Sequence, residues 1–421
     1  MAADFNSYYG VPPDVNLSES PIVYTLSDTS SDPTKDSYQM ALDIYIWRGN
    51  VTGQATADKF TLYKYPIKLD VVGITQYDAN FDVSNIVNSY MQDSLVAGYN
   101  LTTKENQWFL FAQAYSRWKV GNSYVTSTKQ FSDTRKVLDG YFKWGERQSL
   151  NESPDSFNSL VENWPILSCV PSNVSQSISD ITKPFYFSGL NYSDEGGNSS
   201  FPRFYVINSS NGSSITHIQS NDSTAIQNNS LLTVNNYVIT GSDDVFQGAE
   251  WFNIISYGES MNQLGEPVNV KIECQKKYTP TRIIFKNRYG AFDNFEFALV
   301  SNNSFEVETK EYKSNALNIT EPVYNRYDGY KTFYSDGIET LTVNSDYVDE
   351  RFNDFFKQLM VSDEIYQVLE PSESVNNFGI KAELQPLILL SKNLQFKKQE
   401  VDKLINYQFT FKYATPFKLT L

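Results

Sequence analysis

The apolar residues of this chain fall mainly on alternate positions, the period of a β-strand. Met40, Leu42, Ile44 and Ile46 alternate with Ala41, Asp43, Tyr45 and Trp47, which predicts a strand with substantial side chains on both faces, ended by Gly49-Asn50. Phe60–Tyr65 and Trp108–Trp118 repeat the signal. Between them Asp82 precedes a short helical pattern of Ile86, Val87, Tyr90 and Met91. Farther on, short apolar runs at Phe204–Ile207, Leu231–Val234 and Tyr237–Thr240 are separated by polar stretches such as Ser193–Ser200 and Ser220–Thr224, and Val268, Val270, Ile272 and Cys274 alternate strictly with polar neighbours.

The segment Arg282–Phe297 reads as a β-hairpin. Ile283 and Phe285 point one way and Ile284 the other, Gly290 supplies the positive φ of a tight reversal, and Phe292, Phe295 and Phe297 give apolar cover on the return. The clearest helix is expected over about 346–360, capped by Asp346. Val348, Phe352, Phe355, Phe356 and Leu359 form its apolar stripe, and Asp349, Glu350, Asn353, Asp354, Lys357 and Gln358 its wet face. Strand-like Ile365–Leu369 follows, and Tyr407, Phe409, Phe411 and Tyr413 alternate with polar residues near the end.

These elements predict an all-β protein of tandem β-sandwich-like domains, the last of them α+β with one amphipathic helix. The expected domains are 1–149, an N-terminal sandwich; 150–274, a loop-rich sandwich; and 275–421, a β domain with its covering helix. A length of 421 residues suits two or three cores. Composition fits the class: 15% aromatic residues, almost all Tyr and Phe, with only 20% charged, favour strands and wide contact surfaces.

Charge and chemistry narrow the function by exclusion. A formal charge of −15 repels phosphate, and Lys276-Lys277 and Lys397-Lys398 are isolated pairs, so no nucleic acid is expected as a partner. Cys169 and Cys274, far apart and set in apolar pattern, point to buried free thiols. The N-terminus lacks a basic region followed by an apolar core, and no stretch reaches the ~18 apolar residues of a membrane span, so neither a signal peptide nor a span is expected. On that expectation the Asn-x-Ser/Thr triplets, such as those at Asn16, Asn100 and Asn221, are by-products of composition.

His217, in the polar stretch Ser213–Ser220, is the one histidine, too few for a multi-histidine zinc site, and no nucleophile elbow, phosphate loop or calcium loop accompanies it. Asp243-Asp244 and Asp194-Glu195 read as solvated loops. No catalytic, cofactor-binding or metal residue is assigned, and no cofactor is expected. Two alternatives stay open. Exposed Tyr and Trp could serve a receptor- or carbohydrate-binding module, and a glycoside hydrolase needs only two facing carboxylates, for which Glu250, beside Trp251, and Asp139 are candidates that strand-edge and turn roles also explain.

Several motifs resemble one family. Cys274-Gln-Lys-Lys-Tyr-Thr-Pro280 with the following hairpin is similar to a segment of tail-associated virion proteins in tailed phages of Bacteroidetes, including crAss-like phages. Val137–Glu146, with Asp139-Gly140-Tyr141, resembles the turn that ends the first domain in that family. The order strand, Leu341–Ser345, helix, Val361–Tyr366, strand resembles it too. The likeness implies a non-enzymatic structural component of a phage tail at hub, ring or baseplate level, made in the bacterial host cytoplasm and located in the virion. It implies other tail and virion proteins as partners and a homo-oligomeric ring or multi-copy assembly; a host surface glycan is a partner on the binding-module alternative, which the exposed aromatics leave open. None of these motifs is catalytic, so the likeness bears on fold and setting.

Overall fold

Strand Asp36–Arg48 sets the pattern for the first third of the chain: its even positions Met40, Leu42, Ile44 and Ile46 are buried in a core, while Asp43, Tyr45 and Trp47 project from the opposite face. The computed structural model describes residues 4–5, 10–12, 15–29, 35–48, 56–71, 74–91, 108–141, 166–171, 174–179, 183, 185–192, 203–208, 215–218, 232–239, 249–257, 263–273, 277–313, 330–369, 384–394 and 404–414. Among them the protein is mainly β, with four sheets of four or more strands and two short α-helices, Ser84–Met91 and Asn353–Val361. The domain boundaries expected near 149 and 274 lie outside the described residues, as do Cys274, Asp194-Glu195, Asp243-Asp244, Lys276 and Lys397-Lys398.

In the first third, a sheet ordered Asp4–Phe5, Val23–Asp28, Ile74–Asp82, Ile67–Val71 faces a larger one ordered Val15–Leu17, Arg135–Leu138, Trp108–Val120, Asp36–Arg48, Asp58–Lys64. Tyr24, Leu26 and Phe81 of the one pack against Met40, Leu42, Ile44, Leu110, Ala112 and Ala114 of the other. Helix Ser84–Met91 closes the core with Val87 and Met91. Its start is fixed by Asp82, whose carboxylate accepts from the Ser84 amide at 3.0 Å.

A five-stranded sheet follows, ordered Ser175–Ile178, Gln263–Ile272, Trp251–Tyr257, Arg203–Asn208, Ile215–Ile218. Phe204, Val206, Phe252, Ile254 and Val270 pack against Phe185, Phe187 and Ile239, which belong to the two-stranded sheet Phe185–Tyr192 with Leu232–Ile239. The two apolar runs expected at Leu231–Val234 and Tyr237–Thr240 are therefore one strand. Asn235 and Asn236 do not turn because they pair with Gly189 and Ser188 in continuous register. The polar stretch around His217 contains an edge strand, Ile215–Ile218, in which His217 pairs with Tyr205.

Among the described residues, the last third is built on a seven-stranded sheet ordered Phe292–Phe297, Thr281–Lys286, Ile365–Val368, Leu384–Leu389, Gln408–Tyr413, Tyr330–Asn344, Asn302–Lys313. The predicted hairpin is present, and both of its faces are buried. Ile283, Phe285, Phe295 and Phe297 meet the helix side, and Ile284 and Phe292 meet Tyr186 of the neighbouring two-stranded sheet. The helix starts later than expected. Val348-Asp349 pairs as a short strand with Leu404-Ile405, a 3-10 turn spans Glu350–Phe352, and Asp349, not Asp346, caps that turn by accepting from the Arg351 amide at 2.9 Å. The stripe Phe352, Phe355, Phe356 and Leu359 is buried as predicted, but Gln358 is not on the wet face. It is enclosed against the hairpin turn, where its side-chain oxygen accepts from the Arg288 amide at 3.0 Å.

Candidate functional site

Two features stand out as places where this protein could act: an uncovered β-arm and a charged junction where two turns interlock. The arm is the strand Asn302–Lys313 with its partner Tyr330–Asn344. Among the described residues, only the inner end of the partner strand, Thr340–Asn344, is joined to the rest of the sheet, through Gln408–Lys412. Beyond Glu339 the two strands run on as a pair, and every residue of Asn302–Lys313 is exposed.

Alternation explains why this arm is unusual. Asn303 pairs with Leu341, a core residue, so Phe305 and Val307 continue the core-facing side of the sheet out past the point where any described residue covers it. Phe305 and Val307 are about half exposed, and Tyr330 and Phe333 are 73% and 65% exposed. A bulge between Lys310 and Glu311 kinks the outer end, where Tyr312 and Phe333 meet edge to face with ring centroids 6.1 Å apart. These rings and the aliphatic side chains beside them form an exposed apolar strip along the arm.

The junction joins elements distant in sequence. Gly140, at φ +120°, and Gly290, at φ +68°, lie at the tips of two turns that press backbone against backbone. A Cβ on Gly140 would come within 2.2 Å of the Arg288 carbonyl oxygen, and one on Gly290 within 2.7 Å of the Asp139 carbonyl oxygen. The Tyr141 amide donates to the Arg288 carbonyl at 2.8 Å across the same contact. Asp139 pairs with Lys286 at 2.5 Å, and Asp363 and Glu364 lie 3.4 and 3.6 Å from the same ammonium.

Glu19, Gly140, Tyr141, Lys286, Arg288 and Asp363 line a cleft here with about 20 Å³ of free space, room for roughly one water molecule and far below a substrate pocket. Burial and then the carboxylates of Asp139 and Asp363 raise the Glu19 pKa, and burial foremost raises that of Glu364. For Lys286, burial works against the charge, but Asp139, Asp363 and Glu364 outweigh it and hold the ammonium protonated. The arrangement is a fastening, with Asp139 in the turn role that its sequence context allowed.

The hairpin fastens the middle sheets as well. Arg282 and Glu296 form a buried pair at 2.8 Å, Glu296 also accepts from the Ser179 amide at 2.6 Å, and Arg282 donates to the Lys183 carbonyl at 2.5 Å. Buried Asp293 accepts from Ser168 Oγ at 2.5 Å, the Cys169 amide at 2.9 Å and Asn287 at 2.8 Å. Burial nevertheless raises its pKa. Cys169 is a free cysteine whose thiol is enclosed and donates to Gln358 at 2.9 Å. Burial pushes its pKa well above the usual thiol range, which makes it a poor nucleophile.

The remaining sequence candidates do not converge. Glu250 and Trp251 are exposed at the start of the central strand Trp251–Tyr257, and His217 lies on the edge strand Ile215–Ile218, two strands away in that sheet. No group of three or more His, Cys, Asp or Glu is placed to hold a metal ion among the described residues, and no helix there is long and apolar enough to cross a membrane. Sequence reasoning missed a further face. On the outside of the first third, Phe131, 63% exposed, stacks on Phe111 at 6.1 Å, and Phe111 meets Tyr45 at 5.9 Å. Nearby, the Arg117 guanidinium lies 3.2 Å from the Tyr63 ring and 4.5 Å from that of Tyr124.

No family model matches the sequence, and no curated protein matches it. Among solved structures, the chain is similar to dimeric latent PorU from Porphyromonas gingivalis at 13% identity and a TM-score of 0.20, over 81% of this chain. The chain spans 31% of the length of that structure. A likeness this slight carries no argument about fold or function.

Proposed function

We propose that this protein is a non-enzymatic structural component of a phage tail, at hub, ring or baseplate level, and that it works by protein–protein assembly. The observation that carries the assembly reading is the uncovered arm: a strand pair with an open edge and a row of exposed aromatic and aliphatic side chains is suited to extending a sheet into a neighbour or lying across one. The tail setting rests on the family resemblance of the Asp139-Gly140-Tyr141 turn, the hairpin and the helix region. Buried ion pairs and interlocked turns support a rigid mount for such an arm.

The test is incorporation into particles. Replacing Phe305, Val307 and Phe333 together by Ser should leave the fold intact by circular dichroism and abolish recovery of the protein in purified virions, because a stable interface of more than ~1,000 Å² in total would lose its apolar centre. Absence of the unaltered protein from virions, or turnover of a polysaccharide that one Asp or Glu substitution removes, overturns the proposal. A second reading, carbohydrate binding, is favoured by the Phe131, Phe111 and Tyr45 ladder on the outer sheet face. Glycan-array binding lost in Phe131→Ala would support it, and an array with no signal would reject it.

A further inference from the structure

The arm strand Asn302–Lys313 pairs with Tyr330–Asn344 on one side and, among the described residues, with no strand on the other. Its open edge carries Glu306, Glu308, Lys310, Glu311 and Lys313. When the same edge of two identical strands pairs antiparallel, the two-fold axis stands perpendicular to the sheet, so that facing residues lie on the same side and a single residue sits at the centre. The order of charges then chooses among centres. Centring on Glu308, Lys310 or Glu311 sets that residue against itself, and centring on Val307 sets Glu306 against Glu308. Centring on Tyr312 opposes Glu311 to Lys313 but overlaps only those three described residues.

Centring on Thr309 sets Glu308 against Lys310 twice over and leaves no like charges facing. It places Val307 opposite Glu311, Glu306 opposite Tyr312 and Phe305 opposite Lys313. We propose that this edge takes a second copy of the same strand, antiparallel, with Thr309 facing Thr309. The inference rests on the reading of the arm as an assembly element and names its partner. In the pair, Phe305 and Val307 of both copies line one side of a continuous four-stranded ribbon. The ammonium of Lys313 from the second copy comes beside the exposed Phe305 ring, a contact that favours a cation.

Charges on a sheet edge also serve to keep strands apart, and the experiment separates the two roles. Sedimentation velocity on the full chain at moderate ionic strength should show a concentration-dependent dimer. Glu308→Lys alone and Lys310→Glu alone each turn two attractive couples into repulsive ones and should weaken dimerisation by about tenfold or more. An equimolar mixture of the two variants should dimerise again, because in the mixed pair every facing couple is of opposite sign. A wild-type chain that stays monomeric, single variants that dimerise unchanged, or a mixture that fails to recover overturns the pairing. A monomeric wild type that still enters virions, with its arm cross-linked to another tail protein, removes the self-pairing and leaves the assembly reading intact. A dimer missing from virions does the reverse.

Discussion

Removing the Lys286 ammonium tests whether the junction between the Asp139-Gly140 turn and the hairpin turn holds the arm's mount together. Lys286 is 8% exposed and sits 2.5 Å from Asp139, with Asp363 and Glu364 next nearest, so Lys286→Met leaves several carboxylates facing one another without a cation. Breaking a buried pair by deleting one partner costs about 3–5 kcal/mol. The exposed Asp363 and the open cleft let water relieve part of that, which puts the expected loss near the lower end, about 3 kcal/mol. Asp139→Asn should cost less, roughly 1–2 kcal/mol, because Lys286 keeps Glu364 and Asp363 as neighbours and an amide can still accept from Ser18.

Because the side chains interact directly, the double variant should be less damaged than the sum by at least about 1 kcal/mol. A chain with several cores has no single well-defined unfolding energy, so the readout should be local. Hydrogen exchange at the Tyr141 amide, which bonds the Arg288 carbonyl across the junction, reports its opening directly. Faster exchange in Lys286→Met, partly corrected in the double variant, is the expected outcome. Unchanged Tyr141 protection together with a coupling below roughly 0.5 kcal/mol would refute the fastening role.

Two further outcomes are expected. Phe355, fully buried and in ring contact with Phe285, Phe295, Phe352 and Phe356, should lose about 3–5 kcal/mol as Phe355→Ala and clearly less as Phe355→Leu, which leaves a smaller void; native-state hydrogen exchange of the amides in strand Thr281–Lys286 checks both, and an alanine loss under ~1 kcal/mol would mean that this helix face is not core. Glu19 and Glu364 have folded pKa values raised above their unfolded ones, so the folded junction binds protons first, and its stability contribution is present below the unfolded pKa and fades as pH rises through the folded one. Tyr141 protection should therefore increase as pH falls from neutrality toward the ordinary glutamate range, and the increase should shrink in Glu364→Gln, while an unchanged slope would exclude this origin; Asp43, whose pKa is lowered, acts in the opposite sense but only at more acid pH.

The β class, the hairpin Thr281–Phe297, the strand Asp36–Arg48 and the stripe Phe352, Phe355, Phe356, Leu359 were legible in the sequence, because period-two and period-3.6 burial leave a local record in the order of apolar residues. Other features depended on partners far along the chain. Asn235 and Asn236 carry turn chemistry, yet the ladder with Ser188 and Gly189 draws them into one strand, and Gln358, polar and so expected in water, is buried because Cys169 and Arg288 supply it with hydrogen bonds. The meeting of Gly140 with Gly290, the Asp139–Lys286 pair and the exposure, among the described residues, of Phe305 and Val307 were decided by tertiary structure alone. Alternation fixes which side of a strand a residue takes, but whether anything lies over that side is a property of packing between segments that local order does not encode.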